Sequence, residues 1–388
     1  MYNSNFTINR LSFLLCIIII FIFCISIISK INHGSYSQIS TTITNKYSKS
    51  IQTKFSSDKC QWKFHHYSPS PWELYWYNNI DVLQNNVCPK LIENDQLNKS
   101  IRSLEYIINL QKTIYNKSFL SNEYDELFSK MYYQSECSST SQSDRMVSQY
   151  IEPLIGLLRD PLTICSYQNL PSKLQTSEEN GVQSKRFFLL GPSAPYNNFQ
   201  TSTISIAPWL YQQDSQKILM DIGASLFNGV NDPNTVSSLI GARWFYEYFR
   251  LHSLSFDRII AFEATQYSPQ TYWQQIPDDI IGLLTFINVG VANTGKFNPW
   301  NILKSIAKIN DYVIIKLDID NSILENELIQ QILNDKSISS LIDECFFEMH
   351  VTVNEMKRYW GAPQGQLKDS YIIFTKLRQL GIRMHSWP

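Results

Sequence analysis

One stretch constrains what this chain can fold into more than any other: Ile218-Leu219-Met220-Asp221-Ile222-Gly223-Ala224-Ser225. Apolar residues run into an acid, then into a glycine turn, and a helical pattern follows over roughly 235–250. A buried strand that hands its end to a helix reads this way. Further on, Arg258-Ile259-Ile260-Ala261-Phe262-Glu263 repeats the form. Apolar segments recur at Leu283–Val289, Asp311–Asp318 and Leu341–Val351, with a last one at Gly381–Trp387. Helical patterns fall between them, over roughly 322–334 and 368–380, and Arg186–Leu190 reads as a leading strand. This alternation predicts an α/β fold, a Rossmann-like, mostly parallel sheet with helices on both faces. Right-handed crossovers bring the C-terminal ends of all its strands to one edge, where ligands bind in such sheets.

The rest of the chain divides by composition. Leu11 to Ile28 is eighteen residues without a charge, flanked by Arg10 and Lys30. It is long enough to span a bilayer and lacks a good cleavage site after it, so residues 11–29 are expected to be an uncleaved transmembrane signal anchor. Residues 1–10 then form a cytosolic tail, and the polar residues 30–57 a flexible stem. Residues 58–180 read as a mainly helical extension, with helical spacing around Leu104–Tyr115 and from Met146 to Leu158. The Rossmann-like domain is expected over 181–388, and eleven of the thirteen glycines, hence most tight turns, lie within it. Cys60, Cys88, Cys137 and Cys165 precede that domain and read as two disulfides of a lumenal segment, with three pairings open. Asn98-Lys99-Ser100 and Asn116-Lys117-Ser118 are glycosylation acceptors if they face the lumen, whereas Asn5 stays cytosolic. The expected location is therefore type II, in the endoplasmic reticulum or Golgi, with the membrane as one partner. Lys plus Arg (33) nearly cancels Asp plus Glu (34), so no basic field draws nucleic acid.

Two acids at neighbouring strand ends carry the chemistry. Gly223 lets the backbone turn sharply beside a ligand, with Asp221, Ala224 and Ser225 around it. Glu263, at the end of the next strand, suits the two hydroxyls of a ribose. The pair points to an adenosine-bearing cofactor. Ser225, Leu226 and Phe227 stand where a dinucleotide pattern has further glycines, which weighs against a pyrophosphate over the turn. A compact cofactor without phosphates, S-adenosyl-L-methionine, remains. In Lys316-Leu317-Asp318-Ile319-Asp320, residues two apart share a face, so Lys316, Asp318 and Asp320 point together. Asp318 and Asp320 are candidates to position an acceptor or take its proton. Capping of the next helix by Asp320 is the structural alternative. Glu348 and His350 share a face at the fifth strand end, where His350 is a candidate base tuned by the carboxylate, or else a structural histidine. Cys345 reads as a buried thiol, His65-His66 as surface, and His385 and Trp387 as packing residues. No metal is expected in this reading.

With these residues in view, the chain resembles the FkbM-type group of S-adenosylmethionine-dependent methyltransferases. The match is Asp221-Ile222-Gly223-Ala224, Phe262-Glu263 and Lys316-Leu317-Asp318-Ile319-Asp320. It is closer to an uncharacterised eukaryotic set of methyltransferase-like membrane proteins, through Val313 to Asp320, Leu341-Ile342-Asp343-Glu344, Phe347-Glu348, Gly381 to Trp387, and Pro153 to Pro161. The resemblance implies a class I methyltransferase fold over about 150–388, with cofactor contacts at Asp221, Gly223 and Glu263. The FkbM text usually has Glu-Gly where Asp320-Asn321 stand and a further glycine after the first turn. One strand follows the last helix here, so the usual terminal hairpin is not expected. The acceptor class implied is a small molecule or a lumenal glycan. Two rival readings remain: a type II Golgi glycosyltransferase, with Asp318 and Asp320 holding Mn²⁺ against a sugar nucleotide, and a non-catalytic binding protein of the same fold.

Overall fold

A computed structural model of the chain describes residues 60–85, 125–126, 128–137, 146–154, 196–198, 204–205, 215–228, 241–251, 254–354, 357, 361 and 363–387. The expected tail, membrane span and stem, the leading strand at 186–190, the helical pattern at 104–115, both glycosylation triplets, Cys88 and Cys165 lie outside these residues. Among the described residues no helix is long and apolar enough to cross a membrane.

The chain begins with β1 (Cys60–Ser68), α1 (Pro71–Asn78) and α2 (Ile80–Leu83), followed by β2 (Ser129–Cys137), β3 (Met146–Ile151), β4 (Tyr196–Asn198) and β5 (Ile204–Ser205). These five strands form one sheet in the order β1-β2-β3-β4-β5, antiparallel throughout. This corrects the mainly helical reading of residues 58–180 for the part described. Met146–Ile151 is a strand, although Met146 to Leu158 carries a helical pattern. The reason is burial on both faces: Val147, Ser148, Gln149, Tyr150 and Ile151 are all inaccessible, so the polar–apolar alternation of a half-exposed strand is missing. Helix α1 starts where Ser70 Oγ accepts the Glu73 backbone N–H at 3.1 Å and Pro71 supplies a preset φ.

The second sheet is formed by β6 (Lys217–Ile222), β7 (Arg258–Phe262), β8 (Leu284–Ile287), β9 (Tyr312–Leu317), β10 (Glu344–Phe347) and β11 (Arg383–Ser386). Its order is β11-β10-β9-β6-β7-β8 and every pairing is parallel. The chain builds β6, β7 and β8 outward in one direction, then returns beside β6 and builds β9, β10 and β11 outward in the other. That is the doubly wound order, with its switch point between β6 and β9. The α/β, Rossmann-like expectation is met. The intervening helices are α3 (Ala242–Leu251), α4 (Pro269–Trp273), α5 (Pro299–Ile306), α6 (Ser322–Asn334), α7 (Lys336–Ser339) and α8 (Leu367–Gln379).

Two cores lie on the two faces of this sheet. Ile218, Met220, Ile222, Ile315, Leu317 and Phe347 pack with Trp300, Leu328 and Phe374 on one face. Leu219, Ile259, Ile314 and Phe346 pack with Phe245, Tyr272 and Trp387 on the other. Covering both faces explains why the strands read as unbroken apolar runs. Trp72, Trp76, Phe128 and Tyr150 of the N-terminal segment belong to the first of these cores, so residues from Cys60 onward form one compact unit. Cys345 is a free, buried thiol, as expected.

Candidate functional site

The site is built at the C-terminal edge of the parallel sheet. Gly223 has φ +84°, and both its N–H and that of Ala224 donate to the Phe262 carbonyl, at 3.0 and 2.9 Å. A Cβ on Gly223 would lie 1.7 Å from the Asp318 carbonyl oxygen. The turn is thus pressed between the ends of β7 and β9. Ser225 follows with φ +51° and donates its N–H to Glu263 Oε2 at 2.7 Å, while Thr265 donates its N–H to Glu263 Oε1 at 2.6 Å. Each oxygen of Glu263 therefore has one backbone donor. A carboxylate has about four acceptor positions, so each oxygen keeps one more.

Asp221 lies deeper. It stands opposite Lys316 in the β6–β9 register, on the same face, and both are buried. Lys316 Nζ is 3.4 Å from Asp221 Oδ1, 3.4 Å from Asp318 Oδ2 and 2.5 Å from the Gly223 carbonyl. Neither oxygen of Asp221 has a hydrogen-bond partner. Burial pushes the Asp221 carboxyl up, and Lys316 offsets part of that rise. Burial pulls the Lys316 ammonium down, but Asp318 and Asp221 more than reverse it, so its pKa ends above the ordinary lysine value. Lys316 is a cation that ties the glycine turn to the strand end, and no sequence signal marked it beyond its place beside the acids.

Beyond β9 the chain leaves the extended path. Asp320 has φ +54°, and the cap of α6 is Asn321, whose Oδ1 accepts the Leu324 N–H at 3.2 Å. Asp320 is therefore not the cap, and it does not share the Lys316 face as the two-residue spacing predicts. Its carboxylate gathers instead with Glu348 and His350, with one ligand atom of each within 4.8 Å of the others. His350 Nε2 is 3.6 Å from Glu348 Oε2. His350 Nδ1 is 3.2 Å from Ser322 Oγ and 4.0 Å from Glu325 Oε2. Glu325, in the first turn of α6, is buried, and its Oε1 accepts the Ile319 N–H at 2.8 Å. Burial pushes the Glu325 carboxyl up to about 7, against the pull of that N–H and of His350. Burial lowers the His350 pKa, but Glu348, Glu325 and Asp320 together raise it above the ordinary histidine value. Glu325 was missed in the sequence because an acid in a helix first turn is ordinarily a solvated dipole partner.

These residues enclose a cavity of about 610 Å³, within the range of small-ligand sites. Gly223, Ala224, Ser225, Glu263, Asp318, Asp320 and Glu348 all line it, and each belongs to a strand end. Val289, Gly290 and Val291, beyond β8, add an apolar wall, and Tyr267 stands beside it. Asp221 is beneath the floor rather than on it, and His350 stands behind Glu348. A smaller cavity of about 310 Å³ by Trp300 and Asn334 has only the Lys304–Asp335 ion pair as charged lining. His385 and Trp387 are far from a ligand role: His385 bridges Glu152 and Glu344 inside the protein, and Trp387 stacks on Phe245.

The fold and the cavity define the class: a doubly wound α/β protein with an acid-lined site at its switch point. Comparison with protein-family models, with curated proteins and with solved structures gives no significant match, so the site's own geometry carries the functional reading.

Proposed function

We propose that the cavity binds S-adenosyl-L-methionine and that the protein is a class I methyltransferase, anchored in the secretory pathway by Leu11 to Ile28 with this domain lumenal. One observation carries the reading. Glu263 is held by the Ser225 and Thr265 N–H groups so that each of its oxygens keeps an acceptor position beside the cavity, as a ribose diol requires. Val289 and Val291 offer apolar contact for an adenine ring on the same side. The cofactor supplies a sulfonium methyl group. The chain's part is to hold and orient: Glu263 fixes the ribose, Gly223 to Ser225 form the wall, and Asp318, Asp320, Glu348 and His350 stand at the acceptor side.

When bound, the cofactor would offer its methyl carbon to an acceptor hydroxyl and would leave as the neutral thioether, and Asp318, Asp320, Glu348, His350 or solvent would take the hydroxyl proton. Alignment of acceptor and methyl in a dry site supplies most of the acceleration in such a step. The acceptor is a glycan or another hydroxyl-bearing lumenal molecule. The glycosyltransferase alternative draws less support, because Asp318 is engaged by Lys316 rather than grouped with Asp320.

Isothermal titration with S-adenosylhomocysteine tests the reading. Saturable binding is expected, and Glu263→Ala should weaken it by about 1.5–3 kcal/mol, roughly tenfold to a hundredfold. Absence of binding by the intact chain sinks the proposal; binding without turnover on any extract points to the non-catalytic alternative.

A further inference from the structure

We infer that Asp320, Glu348 and His350 form a binding site for a first-row divalent cation, of the Mn²⁺ or Zn²⁺ type, at the acceptor side of the cavity. Their ligand atoms converge to within 4.8 Å of one another from two separate strand ends, Asp320 beyond β9 and the other two beyond β10. Two carboxylates and one imidazole make a mixed oxygen–nitrogen donor set suited to such ions. Three protein ligands leave coordination positions open, and Asp320 and Glu348 face the cavity, so those positions open toward a ligand there.

An independent observation lies behind the histidine. Glu325 has a side chain only 1% exposed, and its Oε2 has no hydrogen-bond partner. That oxygen is aimed at His350 Nδ1, 4.0 Å away, while Nε2 is the ring nitrogen that faces Glu348. A hydrogen-bonding group behind one ring nitrogen orients the ring and leaves the other nitrogen for a metal; here Ser322 Oγ stands 3.2 Å from Nδ1, with the Glu325 carboxylate beyond it. Glu325 Oε1 is taken by the Ile319 N–H, and Oε2, turned toward His350, makes the buried acid of α6 the outer partner of a metal-binding histidine. The left-handed backbone at Asp320 turns its carboxylate out of line with Lys316 and into the cluster.

If the methyltransferase proposal holds, on which this part rests, the ion defines the acceptor class. Open positions on a cation beside the cavity favour an acceptor that offers two adjacent oxygens, a vicinal diol or a hydroxy acid. Coordination lowers the pKa of the attacking hydroxyl, and its proton then leaves to solvent.

The test is titration of chelator-treated full chain with Mn²⁺ alone, read by electron paramagnetic resonance, and with Zn²⁺ alone, read by calorimetry. One saturable ion per chain is expected. Asp320→Ala, at an exposed position, should weaken binding at least tenfold while the chain stays folded, with only the small drop in melting temperature that comes from placing Ala in a left-handed backbone. Glu325→Gln should weaken it tenfold to a hundredfold. If neither ion binds, or if Asp320→Ala binds like wild type, the site is overturned and His350 is an imidazolium between Glu348 and Glu325. S-Adenosylhomocysteine titration of the same samples separates the two proposals. Nucleoside binding without ion binding overturns only the metal site. Ion binding at these residues without nucleoside binding keeps the site and removes its role in methyl transfer.

Discussion

At Gly223 a positive φ coincides with a backbone carbonyl where a Cβ would stand. The glycine is needed whether or not a ligand binds, so its presence in the sequence speaks first about strand packing. Gly223→Ala is expected to cost roughly 2–5 kcal/mol, the sum of left-handed strain and overpacking. Gly282→Ala, where a Cβ meets nothing within 4 Å, should stay within about 0.5 kcal/mol. Urea denaturation of the two variants makes the comparison; equal midpoints would contradict the packing account. Asp221 and Glu263 look alike as strand-end acids, yet they differ in depth. Glu263 reaches the cavity, whereas Asp221 is fully buried against Lys316. Replacing Asp221 leaves Lys316 with one carboxylate fewer in a buried site, a loss of about 3–5 kcal/mol. Asp221→Ala should therefore lower the melting temperature strongly, whereas Glu263→Ala should act mainly on the nucleoside. A stability ranking by thermal unfolding that puts Glu263→Ala below Asp221→Ala would reverse the assignment. Residue type was legible in the chain, but depth was not, because burial depends on what the neighbouring strand presents.

Among the elements, the parallel strands were legible and the antiparallel ones were not. Strands β6, β7 and β9 are apolar on both faces and end in turn residues, which leaves little else for them to be. In β3 the buried Ser148 and Gln149 hide the strand period, because Gln149 takes an internal partner, Arg383, at 2.8 Å.

Across the whole molecule, a buried ionic cluster joins the two sheets. Arg378 and Arg383 come from the end of the chain, and Glu73 and Glu152 from its N-terminal part. His385 stands between Glu152 and Glu344, at 2.6 and 2.7 Å. Three carboxylates face two guanidinium groups, so the charges balance only when His385 is protonated. Burial pulls its pKa down, but Glu152 and Glu344 raise it above the ordinary value of 6.5. A pKa raised in the folded state contributes stability that is complete below about 6.5 and is lost as pH rises through the folded value. Unfolding free energy is therefore expected to fall from pH 6.5 upward, with His350 adding a contribution of the same sign, and His385→Gln should make that slope shallower while costing about 3 kcal/mol near pH 6. A difference between wild type and this variant that does not change with pH would refute the linkage. The chain alone determined the α/β class, the places of the six strands β6 to β11, and the acids at their ends, because these follow from apolar runs and turn residues close together in sequence. Only the tertiary structure decided that Asp221 lies beneath the cavity and Glu263 on its wall, that Asp320 joins Glu348 and His350 rather than Asp318, and that the described strands before β6 form a sheet sharing the main core. Those outcomes depend on contacts between residues far apart in the chain, and local periodicity holds no information about which distant group completes a charge.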